Sequence, residues 1–348
     1  MRRSAAVLVL VAVMLGAARG GGIAPLDSPA GPGSAEPSLA VAPNGDVYMS
    51  WLEPVESGHA LRFSRFDGKS WSAPRTIRSG KDFFVNWADF PSLQVLGDKR
   101  LAAHWLQRAG PGTYAYHVKI ALSHDGGSTW SDAITPHRDV SNTEHGFVAM
   151  WNEGQELHAA WLDGRKYNKE GHDASNEMTV FSTSIDRDGS RGAEVMLDGR
   201  ACDCCQTAAA LTAKGPIVVY RDRSPDEIRD IYMVRRVGGE WTSPAPVHGD
   251  GWKINACPVN GPAVDASGSD VAVAWFTAAN GEARVKVAFS RNAGESFEAP
   301  ARVDGGAPAG RVDVAMLADG SALVTWIERV GGDTAAVYNR IPEVFIPG

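Results

Sequence analysis

Cysteine is scarce in this chain, with four among 348 residues, and Cys202, Cys204 and Cys205 account for three of them. So few exclude a small scaffold stapled by many disulfides, and an apolar core has to hold the fold. Long apolar runs are missing too. Beyond residue 20 no stretch approaches the roughly 20 residues a membrane-spanning helix needs, so no membrane insertion is expected. Basic charge is in deficit, with 34 Lys and Arg against 41 Asp and Glu and a net charge of −7. The first twenty residues hold Arg2, Arg3 and Arg19 and no acid, so the rest is more acidic still. Such a surface argues against nucleic acid and anionic lipid as partners, although local charge can still receive a small anionic ligand. What the chain has in quantity is turn residues, 38 Gly and 20 Pro, which suit an all-β protein.

The N-terminus reads as a secretory signal over residues 1–20. Arg2 and Arg3 precede an apolar run from Ala5 to Leu15, and small residues Gly16, Ala17, Ala18 and Gly20 follow. No Cys follows the run, which argues against a lipid anchor. A periplasmic or secreted protein is expected, with an extension over residues 21–35 and one domain over residues 36–348.

That domain repeats. An aromatic residue closes an apolar, β-branched run at Trp51, Trp105, Trp161, Tyr220, Trp275 and Trp326, at intervals of 54, 56, 59, 55 and 51 residues. Before each run lies a short strand and a tight turn, such as Ser38–Val41 with Asn44-Gly45. After it come a third strand, such as Val118–Leu122, and a shorter fourth, such as Trp130–Ile134. Six copies of a four-stranded antiparallel unit predict a six-bladed β-propeller. The stretch around Ile23 to Leu26 is expected to add a strand to the last blade, whose end runs through Val344–Ile346.

The turn between the third and fourth strands is the most specific feature. In the second repeat it reads Ser123-His124-Asp125-Gly126-Gly127-Ser128-Thr129-Trp130, with a degenerate copy from Ser290 to Phe297 and traces at Asp67-Gly68 and Asp186 to Gly189. Ser123, Asp125, Gly127, Thr129 and Trp130 match the Ser-x-Asp-x-Gly-x-Thr-Trp Asp-box, and the chain resembles the sialidase (neuraminidase) superfamily of BNR-repeat propellers. The box itself is structural: the carboxylate accepts turn N–H groups, Gly supplies positive φ, and the ring packs between strands.

The resemblance implies a carbohydrate-active protein, either a glycosidase of the exo-sialidase kind or a sugar-binding module, with its site on the face where first strands begin and second strands end. The family's machinery is three arginines on a carboxylate, an acid/base Asp and a Tyr activated by Glu. Here Asp89 and Asp163 are the candidate acids and Tyr167 the candidate nucleophile. Arg165, Arg221, Arg223 and Arg311, with Glu144 and His145, are the candidate ligand-binding groups. The loop from Lys166-Tyr167 to His172-Asp173 is long and polar, as ligand-binding loops often are. The family's Phe/Tyr-Arg-Ile-Pro motif is absent from the first blade, where Glu36-Pro37-Ser38 stands. The expected ligand is a glycan or other small anion, no cofactor is required, and a monomer is expected.

The four cysteines fall on the same face, at the openings of blades four and five. One reading is two disulfides, with Cys204 or Cys205 reaching Cys257 and the other pairing with Cys202. The other is a thiolate site for copper(I) or zinc, joined by His145, which would make a metal-binding or redox propeller. A non-catalytic interaction scaffold is the third alternative.

Overall fold

The computed structural model describes residues 25–97, 99–167 and 176–342. The proposed signal, the loop residues His172 and Asp173, and Val344–Ile346 lie outside that range. Six antiparallel sheets follow one another along the chain as the blades of a propeller. Blade one comprises Ala35–Val41, Val47–Val55, Gly58–Phe66 and Arg75–Gly80, and blade two Ser92–Gly97, Arg100–Arg108 and Tyr116–Ser123. Blade three comprises His145–Glu153, Glu156–Asp163, Met178–Ile185 and Val195–Ala201. Blade four contains Ala208–Thr212, Gly215–Arg221 and Ile231–Val237, with short edge pieces Glu240–Trp241 and Ala245–His248. Blade five is Ala263–Ser267, Asp270–Thr277, Arg284–Ser290 and Ala301–Arg302, and blade six Pro308–Met316, Ala322–Val330 and Asp333–Ile341.

The six landmark aromatics occupy equivalent places in the second strands, and every one is buried. Alternating side chains send these rings to one face of each blade, into the space shared with the preceding one. The adjoining aliphatic residues make that space a dry core, as where Trp161 packs with Tyr116, Val118 and Ile120 of blade two. In three blades the ring also ties down an acid two residues on: Trp51 Nε1 donates to Glu53 at 3.2 Å, Trp161 to Asp163 at 2.8 Å and Trp326 to Glu328 at 2.8 Å.

Two expected strands are reduced. The fourth strand of blade two shrinks to a single bridge between Ile120 and Ile134: before it the Ser131 hydroxyl takes the Leu122 N–H at 3.0 Å, and after it Pro136 has no N–H to extend a ladder. Pro25 and Leu26 belong to no strand, and Leu26 is exposed; Ile23 lies outside the described residues.

The Asp-box turn is built as its chemistry requires. Asp125 Oδ1 accepts the Ser128 and Thr129 N–H groups at 2.9 Å, and its Oδ2 accepts the Thr129 hydroxyl at 2.7 Å. Ser123 Oγ accepts the Gly127 N–H at 2.8 Å, and Trp130 meets Phe63 of blade one edge-on. Blade five repeats this with Asn292 in place of the acid, and Gly294 N–H on Ser290 Oγ at 2.9 Å. In blades one and three Asp67 and Asp186 cap similar turns.

Gly127 has φ +82°, and a methyl group there would lie 2.3 Å from Phe63 Cζ. Gly127→Ala is therefore expected to cost about 2–3 kcal/mol, from the positive φ and from overpacking against the neighbouring blade. A urea titration of stability measures it; an unchanged midpoint would mean that this turn does not carry the blade one–blade two contact.

Candidate functional site

First strands begin, and second strands end, on what we call the upper face. Three first strands open with the same irregularity. Glu36, Phe147 and Arg311 have φ of +56°, +53° and +58°, at the register slips that open blades one, three and six. A non-glycine residue in the left-handed region is strained, and a bulge of this kind redirects side chains at a strand end. Two of the three share one support. Asp89 Oδ1, at the entry to blade two, accepts the Phe147 N–H at 2.8 Å. Asn260 Oδ1, at the entry to blade five, accepts the Arg311 N–H at 2.9 Å. Gly146 and Gly310 precede those residues, and a Cβ on either would lie 1.9 Å from a side-chain oxygen of the supporting residue, Asp89 Oδ2 or Asn260 Oδ1. Blades two and three thus match blades five and six.

The bulges at Glu36 and Arg311 face a cavity of about 570 Å³ lined by Ser38, Phe90, Thr207, Asn260, Arg311 and Asp313. The Arg311 guanidinium lies 4.0 Å above the Trp87 ring and donates to the Trp87 carbonyl at 3.2 Å. Trp87 itself is 63% exposed. Glu36 is half-buried, and loss of hydration pushes its carboxyl up to about 7 although Arg311 pulls the other way. This side has an exposed aromatic plane, a guanidinium and a carboxyl that keeps a proton near neutrality. A larger cavity, about 610 Å³, lies on the lower face among Arg65, Arg75, Arg100 and Asp125. Its arginines are already engaged: Arg65 by Asp46, Arg75 by the Gly126 carbonyl and Arg100 by the Gln155 and Leu96 carbonyls.

Beneath the upper face, Asp89, Tyr116 and Glu144 form a buried chain. Tyr116 Oη lies 2.8 Å from Asp89 Oδ2 and 2.8 Å from Glu144 Oε1. A phenol has one proton to donate, so a second proton on one carboxyl completes the set. Burial raises the Asp89 carboxyl to about 7, which favours Asp89 as the holder of that second proton below neutrality; with Asp89 protonated, it donates to Tyr116 and Tyr116 donates to Glu144. Asn260, the neutral counterpart of Asp89, performs the same backbone capture in blade five.

The remaining candidates have internal partners. Asp163 is fully buried and accepts from Trp161 Nε1, from the Arg165 backbone N–H and from the Arg165 side chain. Burial would raise its carboxyl, but these donors together bring it below the usual carboxylate range. Arg165 also reaches Glu194 and covers the Phe181 ring at 3.8 Å. Arg221 is buried and gives its donors to the carbonyls of Asn260, Arg229 and Phe276. Arg223 forks onto Glu227 and reaches the Asn176 carbonyl. The Tyr167 hydroxyl is buried with no hydrogen-bond partner among the described residues, and burial with nearby Glu144 pushes its phenol up. His145 is buried with Nε2 3.0 Å from Asp139 and 3.6 Å from Asp163, its ring stacked on His137 and edge-on to His117. Asp139, His145 and Asp163 could offer three metal ligands within 4.8 Å. Asp163, however, is taken up by Arg165 and Trp161, and Asp139 accepts from Ser141, so the group works as an imidazole–carboxylate clasp.

A disulfide joins Cys204 to Cys257 and ties the entries of blades four and five. Cys202 and Cys205 are buried free thiols. The sulfurs of Cys202, Cys204 and Cys205 lie within 4.8 Å of one another, but the bridge takes Cys204 and Cys257 out of a four-thiolate set. His145 groups with carboxylates and not with these sulfurs.

Sequence reasoning named Asp89, Glu144 and Arg311 but missed Tyr116 and Trp87, and saw Glu36 only as the residue standing in the missing motif's place. Tyr116 opens a third strand and reads as core. Trp87 falls outside the 51–59 residue rhythm of the landmarks, and that offset was the available signal.

No family model matches the chain, and no curated protein matches it in sequence. Its fold is similar to those of solved structures. A protein of unknown function from Dyadobacter fermentans superposes with a TM-score of 0.58 at 15% identity, covering 89% of this chain and 94% of that one. An α-L-arabinanase from Penicillium chrysogenum complexed with arabinobiose gives 0.54 at 14%, covering 89% and 93%. A PL25 ulvan lyase gives 0.53 at 12%, covering 89% and 79%. At these identities the likeness is one of fold.

The Asp89 carboxyl is raised in the folded state above its ordinary value of 3.8, so its contribution to stability is fully present below about pH 4 and is lost as pH rises through about 7. Asp89→Asn, which copies Asn260, is expected to fold and to flatten this part of the pH–stability curve. Denaturant midpoints from pH 4 to 8 measure it; equal slopes in both proteins would place the buried proton elsewhere.

Proposed function

We propose that this chain is an exported, carbohydrate-active propeller that takes a glycan at the upper mouth of its channel. The observation that carries the reading is the Arg311–Trp87 pair, a guanidinium over an exposed indole, within range of whose charge lies Glu36, a carboxyl that burial raises to about 7. Sugar rings stack on aromatic planes, guanidinium groups hold carboxylate or sulfate, and a carboxyl with a raised pKa is the general acid that glycosidic cleavage uses. The Asp-box turns and the propeller structures of the arabinanase and ulvan lyase support a carbohydrate ligand. Arg2, Arg3 and the Ala5–Leu15 run support export.

Within that class the sialidase reading is narrowed by the arginines. Arg165, Arg221 and Arg223 are committed to internal partners, which leaves Arg311 to meet an anion. One guanidinium suits a uronic acid or sulfated sugar better than a three-arginine clamp on sialic acid. In this assignment Glu36 is the acid, and Asp89 supports the mouth from beneath.

Titration calorimetry against uronic-acid and sulfated oligosaccharides tests the proposal. Arg311→Ala and Trp87→Ala are expected each to weaken binding about tenfold or more, in line with the loss of one charged hydrogen-bonding group or one stacking plane. Glu36→Gln should retain binding and lose turnover, and wild-type turnover should fall as pH rises through about 7, where Glu36 gives up its proton. Full affinity in both mouth variants would overturn the site.

A further inference from the structure

The geometry points to a second activity at the blade four–blade five entry: Cys202 is the nucleophile of a thiol–disulfide relay that moves the bridge between Cys204–Cys257 and Cys202–Cys205. Cys202 Sγ lies 3.3 Å from Cys205 Sγ and 3.8 Å from Cys204 Sγ, which is bonded to Cys257. One sulfur is therefore in reach of both a thiol and a disulfide. Arg229 Nη1 donates to Cys202 Sγ at 3.2 Å and is held in place by Asp203 and Glu227. A guanidinium at that distance stabilises a thiolate, the form that attacks disulfides.

The two buried thiols are unequal. Burial pushes both up, but at Cys202 the hydrogen bond from Cys205 and the Arg229 charge more than offset it and bring the thiol below its ordinary value. Cys205, facing that thiolate, is raised further. Cys202, Cys204 and Cys205 are buried, whereas Cys257 is half-buried and reaches solvent. An external thiol such as glutathione meets the system at Cys257.

The relay balances within the chain. The Cys202 thiolate attacks Cys204 Sγ; a Cys202–Cys204 bond forms, the Cys204–Cys257 bond breaks, and Cys257 leaves as thiolate. Cys205 gives up its proton, which is taken by Cys257, and the new thiolate attacks Cys202 Sγ. A Cys202–Cys205 bond forms and Cys204 leaves as thiolate. Two electrons have passed from Cys202 and Cys205 to Cys204 and Cys257, with one proton and one negative charge before and after. Asp203 Oδ1, 3.6 Å from Cys257 Sγ, can accept a hydrogen bond from the thiol so formed. The product presents a reduced Cys204/Cys257 pair, with Cys257 at the surface, to protein or small-molecule disulfides.

The test uses the full chain carrying one bridge, titrated with dithiothreitol to two free thiols, equilibrated in glutathione buffer, acid-quenched and mapped by peptide mass spectrometry. Both bridges are expected in the wild type. Cys205→Ser should trap Cys202–Cys204, and Cys202→Ser should leave the bridge fixed at Cys204–Cys257. Arg229→Gln should slow exchange about tenfold at pH 7 and recover at pH 9, where the thiolate forms unaided. A bridge found only at Cys204–Cys257 in both the wild type and Cys205→Ser would overturn the relay, as would exchange at the wild-type rate in Cys202→Ser.

Discussion

Each blade is a small sheet with apolar side chains on both faces, and neither face can be left in water. Only blades stacked around an axis cover both, so one constraint sets the rest of the architecture. The buried aromatics of the second strands fill the spaces between sheets, and Trp161, Trp275 and Tyr220 are wholly enclosed there. Stacking points every first strand toward the axis. The entries of all six blades therefore meet at one mouth, and residues as distant in sequence as Trp87 and Arg311 come into contact.

The same crowding explains the strained backbone at that mouth. A left-handed non-glycine residue costs on the order of 1–2 kcal/mol, and it persists where its surroundings hold it. Asp89 and Asn260 supply that hold from neighbouring blades, and Gly146 and Gly310 leave room for them. The acid and the amide are interchangeable because the job needs an acceptor oxygen and no charge. This is why a buried carboxyl can hold the backbone while protonated, although keeping that proton costs stability as pH rises toward 7. The bulge at residue 311, in turn, sets the guanidinium at the cavity, and the bulge at residue 36 sets the acid within range of its charge.

Much of this was legible in the sequence. The spacing of Trp51 to Trp326 gave the blade count, and Ser123 to Trp130 gave the turn that links neighbouring blades. The upper face followed from strand direction, and with it the gathering of Asp89, Glu144, Arg311 and the four cysteines. What stayed hidden depends on who faces whom. Arg221 and Arg311 have the same side chain and lie on the same face, yet one is satisfied by three carbonyls and the other lies on an exposed ring. Sequence shows the donors and not the acceptors that use them up. Tyr116 was hidden because a tyrosine in an apolar strand looks like packing, and its role appears only when two acids from separate blade entries converge on its hydroxyl.

The Cys204–Cys257 bridge closes a loop of 53 residues that contains nearly all of blade four. If the protein is pulled from its two ends, force passes across the bridge and never along that loop. The enclosed segment would otherwise pay out roughly 180 Å of extended chain. With the bond in place that length stays hidden, and blade four carries no load even when its neighbours are drawn apart. A bond between Cys202 and Cys205 would shield only the few residues between them, so the position of a single disulfide decides whether the ring has one blade that cannot be unravelled by tension.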